Sequence, residues 1–315
     1  MKYNEARKCP PPQQVGARIP KQAASISPTS LKRQEEVLPM AKLEQRRYKM
    51  IALDLDGTLN NDDKVITPRT RDALLAVQAQ GVTVALVSGR QAPGLKREAD
   101  ALQLEKYHGL RISYNGGRIQ DATTGEILFD SAIDNETAVA FLRHLEQWPE
   151  LSPIVDDGEA IYTTDASRHK VMDESRNNNL QVKIVENIAN AVTFNPVKIL
   201  TAAPNEILVP HLADIRRGFE DKLSFVQSAP WFYEGTVKGV SKSSALGAAC
   251  ERLGIKPAEV MAFGDAQNDM SMLEFAGYGV AMGNACEELK AMADEITASN
   301  NEDGIALTLE RLFAL

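Results

Sequence analysis

The chain holds 315 residues, 43 % hydrophobic and 25 % charged, which supplies enough apolar material for one to three packed domains. A formal net charge of −8 argues against general nucleic-acid or membrane-surface binding, and no stretch approaches the 18 apolar residues of a membrane-crossing helix. Cys9, Cys250 and Cys286 are far apart and form no CxxC pair, and His108, His144, His169 and His211 have no ligand spacing. A disulfide framework or zinc site is therefore not expected, and a reducing cytoplasm fits.

Residues 1–48 are rich in Pro, Gln, Ser and basic residues: ten Lys+Arg against four Glu give +6, leaving −14 for the remainder. So few apolar residues cannot offset the entropy of ordering, and a disordered basic tail is expected. Glu5, Glu35, Glu36 and the prolines weaken a targeting role, and translation from Met40 or Met50 is the plainer expectation.

From Met50 the pattern becomes regular. The run "MIALDLD" reads as a short apolar strand. A helix follows, with Thr67 as N-cap, Pro68 in the first turn and Gly81 as terminator. "VTVALVSGR" is a second strand, residues 92–103 a helix and "RISYNGG" a third strand, and "GRIQDATTGEILFD" reads as a hairpin turned at Thr124-Gly125. Between 134 and 227, helices (134–147, 165–178, 205–221) alternate with short strands near 152–156, 160–163, 181–185, 197–203 and 223–227. Parallel signals then return: helix 241–253, strand "VMAFGD", helix 267–275, strand "YGVAM", helix 286–293 and strand "EITA". The pattern predicts an α/β protein: a Rossmann-like, mostly parallel sheet core (49–133 and 228–315) with an inserted α+β unit (134–227). Hinges are expected near 131–134 and 228–236.

Three strands end alike. Asp54 and Asp56 close the first, and Gly57 lets backbone approach closely there. Ser88-Gly89 closes the second, offering a hydroxyl and backbone N–H groups to a phosphate oxygen. "GDAQND" closes a later one; Asp265, Asn268 and Asp269 are more polar groups than a helix cap needs. An open parallel sheet binds ligands beyond the carboxyl ends of its strands, so acids from two such ends would make an oxygen-rich site suited to Mg²⁺. Lys242 opens a helix, where a cation is unfavourable to the dipole, and calls for a carboxylate or phosphate partner.

With these residues assembled, the chain resembles the haloacid dehalogenase superfamily, and within it the Cof-type sugar-phosphate phosphatases with a type C2 cap. "DLDGT", "SGR", Lys242 and "GDAQND" match the four motifs in order, and "YNGG", "GYGVAMGNA" and "NNEDGIA" match accompanying phrases. Departures are Ser243 after the lysine, "NGG" for the usual "NGA", and Ala266 where Gly is common. The resemblance implies Asp54 as nucleophile and Asp56 as acid/base. It implies Mg²⁺ on the Asp54 carboxylate, the Asp56 carbonyl and Asp265, with Asp269 supporting the metal's waters. Ser88, Gly89, Lys242 and Asn268 would hold the phosphoryl oxygens. It implies hydrolysis of small phosphorylated metabolites, sugar phosphates foremost, with the inserted unit as cap. The alternatives on this fold are a phosphomutase and a non-enzymatic phosphosugar-binding protein. No cap residue is singled out for substrate contact; Asp156, Asp157, Glu159, Arg168 and His169 read as solvated surface.

Overall fold

The computed structural model describes residues 48–315. The expectations for 1–47, disorder and a start at Met40 among them, lie outside the described residues. Tyr48, which composition places in the tail, is buried with its ring 5.8 Å from that of Tyr278.

Fourteen strands among the described residues form two sheets. The first has the order β14-β13-β12-β1-β2-β3-β4-β5. It comprises β1 (Met50–Leu53), β2 (Thr83–Val87), β3 (Leu110–Ser113), β4 (Arg118–Asp121), β5 (Ile127–Asp130), β12 (Val260–Gly264), β13 (Tyr278–Ala281) and β14 (Glu295–Ile296). Strands β14 to β3 run parallel, and β4 and β5 add an antiparallel hairpin. Successive side chains of a strand face opposite ways, so β1 serves two cores. Ile51 and Leu53 pack with Leu74, Val77, Leu309 and Phe313; Met50 and Ala52 pack with Ala245, Leu246, Ala249 and Leu273. With helices on both faces, the strands have no wet side, which is why they read as continuous apolar runs. Truncating a fully buried residue such as Leu53 to Ala removes about 2–5 kcal/mol.

The helices obey their caps. Thr67 accepts the Thr70 N–H ahead of helix Pro68–Ala79. Helix Lys242–Leu253 opens on a reciprocal pair between Ser241 and Ser244 and ends at Gly254, whose φ is +64°.

The second sheet has the order β10-β11-β9-β6-β7-β8. Its strands are β6 (Ser152–Asp156), β7 (Ala160–Thr163), β8 (Gln181–Ile184), β9 (Lys198–Ala202), β10 (Leu223–Ala229) and β11 (Phe232–Val237). Phe141, on helix Asn135–Leu145, anchors its core edge-on against Phe219 and Phe225, centroids 5.0 and 5.5 Å apart. No helix among the described residues is long and apolar enough to cross a membrane.

Three expectations change. Residues 228–237 belong to the second sheet, because β11 pairs with both β10 and β9, so the return to the first sheet comes after Val237. The hinge expected at 228–236 is thus strand; the crossing segment is 238–241, with Gly239 at φ +85°. Helix 165–178 begins only at Val171, since Asp165 bonds the Ser167 N–H in a local turn and Lys170 takes φ +63°. The chain also ends in a helix, Gly304–Phe313, that strand-end reasoning left unassigned.

Candidate active site

The register sets the site. Leu53 lies beside Phe263 on one flank and Leu86 on the other, so β1, β2 and β12 finish side by side. Asp54, Ser88 and Asp265 follow those ends directly. Residues far apart in the chain therefore meet at one sheet edge, in the crevice where parallel sheets bind ligands.

Lys242 lies at the centre, nearly sealed from solvent. Its Nζ donates to Asp54 Oδ1 at 2.6 Å, to Asp269 Oδ1 at 2.6 Å and to the Val87 carbonyl at 3.0 Å. Three protons meet three acceptors. Burial alone would lower this ammonium's pKa, but Asp269 and Asp54 outweigh it and push it up to about 12. The cation expected from its unfavourable place at a helix start is matched by two carboxylates.

Asp269 spends its second oxygen, Oδ2, on the N–H groups of Asp265 and Ala266, each at 3.0 Å. It thereby fixes the turn that presents Asp265, whose Oδ1 accepts the Thr58 hydroxyl at 2.9 Å. Asp54, Asp265 and Asp269 can place one carboxylate oxygen each within 4.8 Å of one another. Three buried carboxylates against one ammonium leave an excess of negative charge and oxygen donors, which suits a hard divalent cation. Gly57 has φ +88°, and a Cβ there would lie 2.4 Å from Asp265 Oδ2, so the turn leaves no room for a side chain against that oxygen.

Asp56 is held differently. Arg90 forks onto it, Nη2 to Oδ1 at 2.7 Å and Nε to Oδ2 at 3.0 Å, and Lys64 adds a contact at 2.9 Å. Burial would raise this carboxyl; the Arg90 guanidinium and the Lys64 ammonium override it and hold the group well below the usual carboxylate range.

The structure brings together every residue singled out from the sequence, in two layers. Asp54, Asp56, Ser88, Gly89 and Asn268 border a cavity of about 1540 Å³ between the two sheets, while Lys242, Asp265 and Asp269 stand behind them. Ser88 Oγ accepts the Arg90 N–H at 3.2 Å, and Asn268 Nδ2 donates to Asn115 Oδ1 at 3.2 Å. The accompanying phrases are scaffolding. Asn284 donates to the Gly57 carbonyl at 2.8 Å and Asn300 to the Asn60 carbonyl at 3.0 Å. Gly116, at φ +105°, lets the turn after β3 approach Ser241, whose carbonyl oxygen would be 2.2 Å from a Cβ.

Sequence reasoning missed Arg90 and Lys64; Arg90 stood inside "SGR" and its charge at a strand end was the available signal. It also missed Lys198, Glu174 and Glu234, which border the same cavity from the second sheet's side.

The model of the haloacid dehalogenase-like hydrolase family matches residues 51–309. A crystal structure of a haloacid dehalogenase-like hydrolase from Bacteroides thetaiotaomicron is 35 % identical, with a TM-score of 0.80 over 84 % of this chain and 100 % of that one. The sugar phosphatase BT4131, described as HAD subclass IIB, is 26 % identical with a TM-score of 0.70, covering 85 % of this chain and 100 % of its own. In sequence, 5-amino-6-(5-phospho-D-ribitylamino)uracil phosphatase YcsE of Bacillus subtilis is 30 % identical over 258 residues, covering 82 % of this chain and 93 % of the relative. Four motif segments meeting at one sheet edge, and a family match that spans both sheets, lead to one conclusion: this chain belongs to the haloacid dehalogenase-like hydrolases.

Proposed function

We propose that this protein is a Mg²⁺-dependent phosphatase that hydrolyses small phosphate monoesters, sugar phosphates foremost, through an aspartyl-phosphate. The observation that carries the reading is Asp54, oriented by Lys242 at 2.6 Å and bordering a cavity whose rim also bears Asp56.

In the first step an Asp54 carboxylate oxygen attacks phosphorus. The bond from phosphorus to the ester oxygen breaks, and that oxygen takes a proton from Asp56. In the second step water attacks the acyl-phosphate, gives its proton to Asp56 and releases inorganic phosphate, which restores Asp54. Arg90 and Lys64 hold Asp56 ionised in this structure, the state that accepts a proton from water. Proton donation in the first step requires both cations to release it. Ser88, the Gly89 N–H and Asn268 supply donors for the phosphoryl oxygens, and Lys242 neutralises charge behind Asp54. The Asp54 and Asp265 carboxylates and the Asp56 carbonyl would hold Mg²⁺, with Asp269 bracing the Asp265 turn. That ion, when bound, supplies the charge neutralisation that lets a carboxylate approach a dianionic ester.

The second sheet and its helices serve as a C2-type cap over the cavity, and closure would exclude water from the reacting group. A reducing cytoplasm is the expected compartment, in keeping with free Cys250 and Cys286.

The test is phosphate release from p-nitrophenyl phosphate and a panel of sugar phosphates, with Mg²⁺ and with chelator. Asp54→Asn, nearly isosteric, is expected to keep the fold and lose turnover by a factor on the order of 10³ or more. Retained turnover in that variant would refute the nucleophile, and Mg²⁺-independent turnover would refute the metal.

A further inference from the structure

Lys198 begins β9, flanked in the second sheet by β11 and β6, and is 3 % exposed. Its Nζ reaches toward the first unit, 3.5 Å from the carbonyl oxygen of Gly89, the residue that follows Ser88. Two glutamates flank it: Glu234 Oε1 at 3.4 Å and Glu174 Oε1 at 3.8 Å. All three border the cavity. Glu234 Oε1 also accepts the Ser228 hydroxyl at 2.7 Å, and Glu174 Oε1 accepts Gln91 Nε2 at 3.0 Å. Each glutamate thus spends one oxygen on the protein. No hydrogen bond is made to the other oxygen among the described residues, and both residues line the cavity. Trp231 and Phe232 add aromatic surface to the same wall.

We propose that Lys198, Glu174 and Glu234 form the subsite that reads the leaving group, selecting hydroxyl-rich moieties and rejecting those with a second anionic group. The inference rests on the phosphatase reading and concerns the part of the cavity wall that the second sheet and its helix supply. A hydroxyl is both donor and acceptor, and neighbouring hydroxyls are matched by a carboxylate beside an ammonium. Lysine makes no contact shorter than 3.4 Å in this cluster, so its protons are available to a ligand oxygen at little cost. Burial would lower the Lys198 ammonium's pKa, but Glu234, Glu174 and Asp156 outweigh it and keep the group charged. The subsite also stands on regular elements: a sheet interior and the inward face of helix Val171–Asn178, tied to the first sheet's side where Gln91 donates to both Glu174 and Asp156.

Exclusion follows from the other charges. Away from Asp56 and its two cations, the remaining cations on the cavity wall already have carboxylate partners: Lys170 and Arg176 with Asp173, Arg97 with Glu98, and Lys96 with Asp100. A second phosphate would have to break one of these pairs and lie beside two glutamates.

The experiment compares kcat/KM for fructose 6-phosphate, fructose 1,6-bisphosphate and p-nitrophenyl phosphate in the full-length wild type and Glu234→Gln. The wild type is expected to favour the monophosphate over the bisphosphate by about tenfold or more. In Glu234→Gln the ratio of fructose 6-phosphate to p-nitrophenyl phosphate is expected to fall about tenfold, and the preference over the bisphosphate to shrink. Equal handling of the two fructose esters by the wild type, which needs no variant to fold, overturns the exclusion. An unchanged ratio in Glu234→Gln overturns the subsite. Absence of turnover of p-nitrophenyl phosphate by the wild type overturns the phosphatase reading itself, and this inference with it.

Discussion

Among the described residues, each sheet's unit buries one lysine between two carboxylates, and the two are held at different lengths. Lys242 donates to Asp54 and Asp269 at 2.6 Å each, with the Val87 carbonyl closing its third position. Lys198 stands 3.4 Å from Glu234, 3.8 Å from Glu174 and 3.5 Å from the Gly89 carbonyl. The residue types match; the chemistry does not. A lysine with every proton committed is a fixed part that orients its carboxylates. A lysine with long contacts on all sides is a part waiting for an oxygen. Short contacts suit the reacting centre, where misplacement by about an ångström can cost about 10² in rate. Long ones suit the recognition side, where a ligand must displace little.

The largest expected effect tests the tight lysine. Lys242→Met leaves Asp54 and Asp269 buried without their cation, and breaking a buried pair this way costs about 3–5 kcal/mol. Turnover should vanish with it. Urea denaturation with and without Mg²⁺ checks the cause: a divalent ion binding the folded state alone should restore part of the loss by linkage. The same substitution at Lys198 should cost less than half as much, because its contacts are longer and its glutamates border the cavity. Equal losses at the two positions would erase the distinction between the two lysines.

That distinction also explains what the sequence disclosed. The reacting centre was legible because its parts are local events repeated three times: an apolar run, then Asp54, Ser88 or Asp265, then a turn. Parallel sheets place such events at one edge, so chain order and periodicity pointed to a shared edge, and the resemblance of the motifs to a family supplied the roles. The recognition side had no such grammar. Glu174 lies on a helix, Lys198 in a strand and Glu234 within the 228–236 segment expected to be a hinge. Each alone looks like a solvated charge, and only the antiparallel pairing of β11 with β9 and a short helix above them brings the three together. One signal was present: Lys198 interrupts the apolar run "VKILTA", where an unpaired ammonium would be costly. Arg90 and Lys64 were missed for a related reason, since what they pair with, Asp56, had already been assigned to chemistry.

A smaller loss of turnover, confined to the reacting centre, is expected from Gly57→Ala. The backbone there sits at φ +88°, and the new Cβ would fall 2.4 Å from Asp265 Oδ2. An L-residue in that conformation costs about 1–2 kcal/mol, and the Asp265 carboxylate must swing away. Turnover should fall by about 10–100-fold, with a higher Mg²⁺ requirement. A normal Mg²⁺ titration in this variant would remove Asp265 from the metal set.

The smallest effect on turnover belongs to a site in the second sheet that carries stability alone. Asp157 sits in the β6–β7 turn. Its Oδ1 accepts the N–H groups of Glu159 and Ala160 at 2.9 and 2.8 Å, and its Oδ2 accepts the Tyr162 hydroxyl at 2.7 Å and Lys183 at 3.3 Å. Partial burial would raise this carboxyl, but the Ala160 N–H, the Tyr162 hydroxyl, the Glu159 N–H and Lys183 together lower it to about 2 from 3.8. A carboxyl whose folded pKa lies below its unfolded one stabilises the fold above the unfolded value and ceases to do so as pH falls through the folded value. Asp157→Asn should therefore cost about 2 kcal/mol at pH 7. The cost should shrink between about pH 4 and pH 2, where the wild type loses the same contribution. Denaturant midpoints of the two proteins across that range check it, with turnover at pH 7 as the control. A constant gap down to pH 2 would mean that the turn needs the shape of Asp157, and that its charge is incidental.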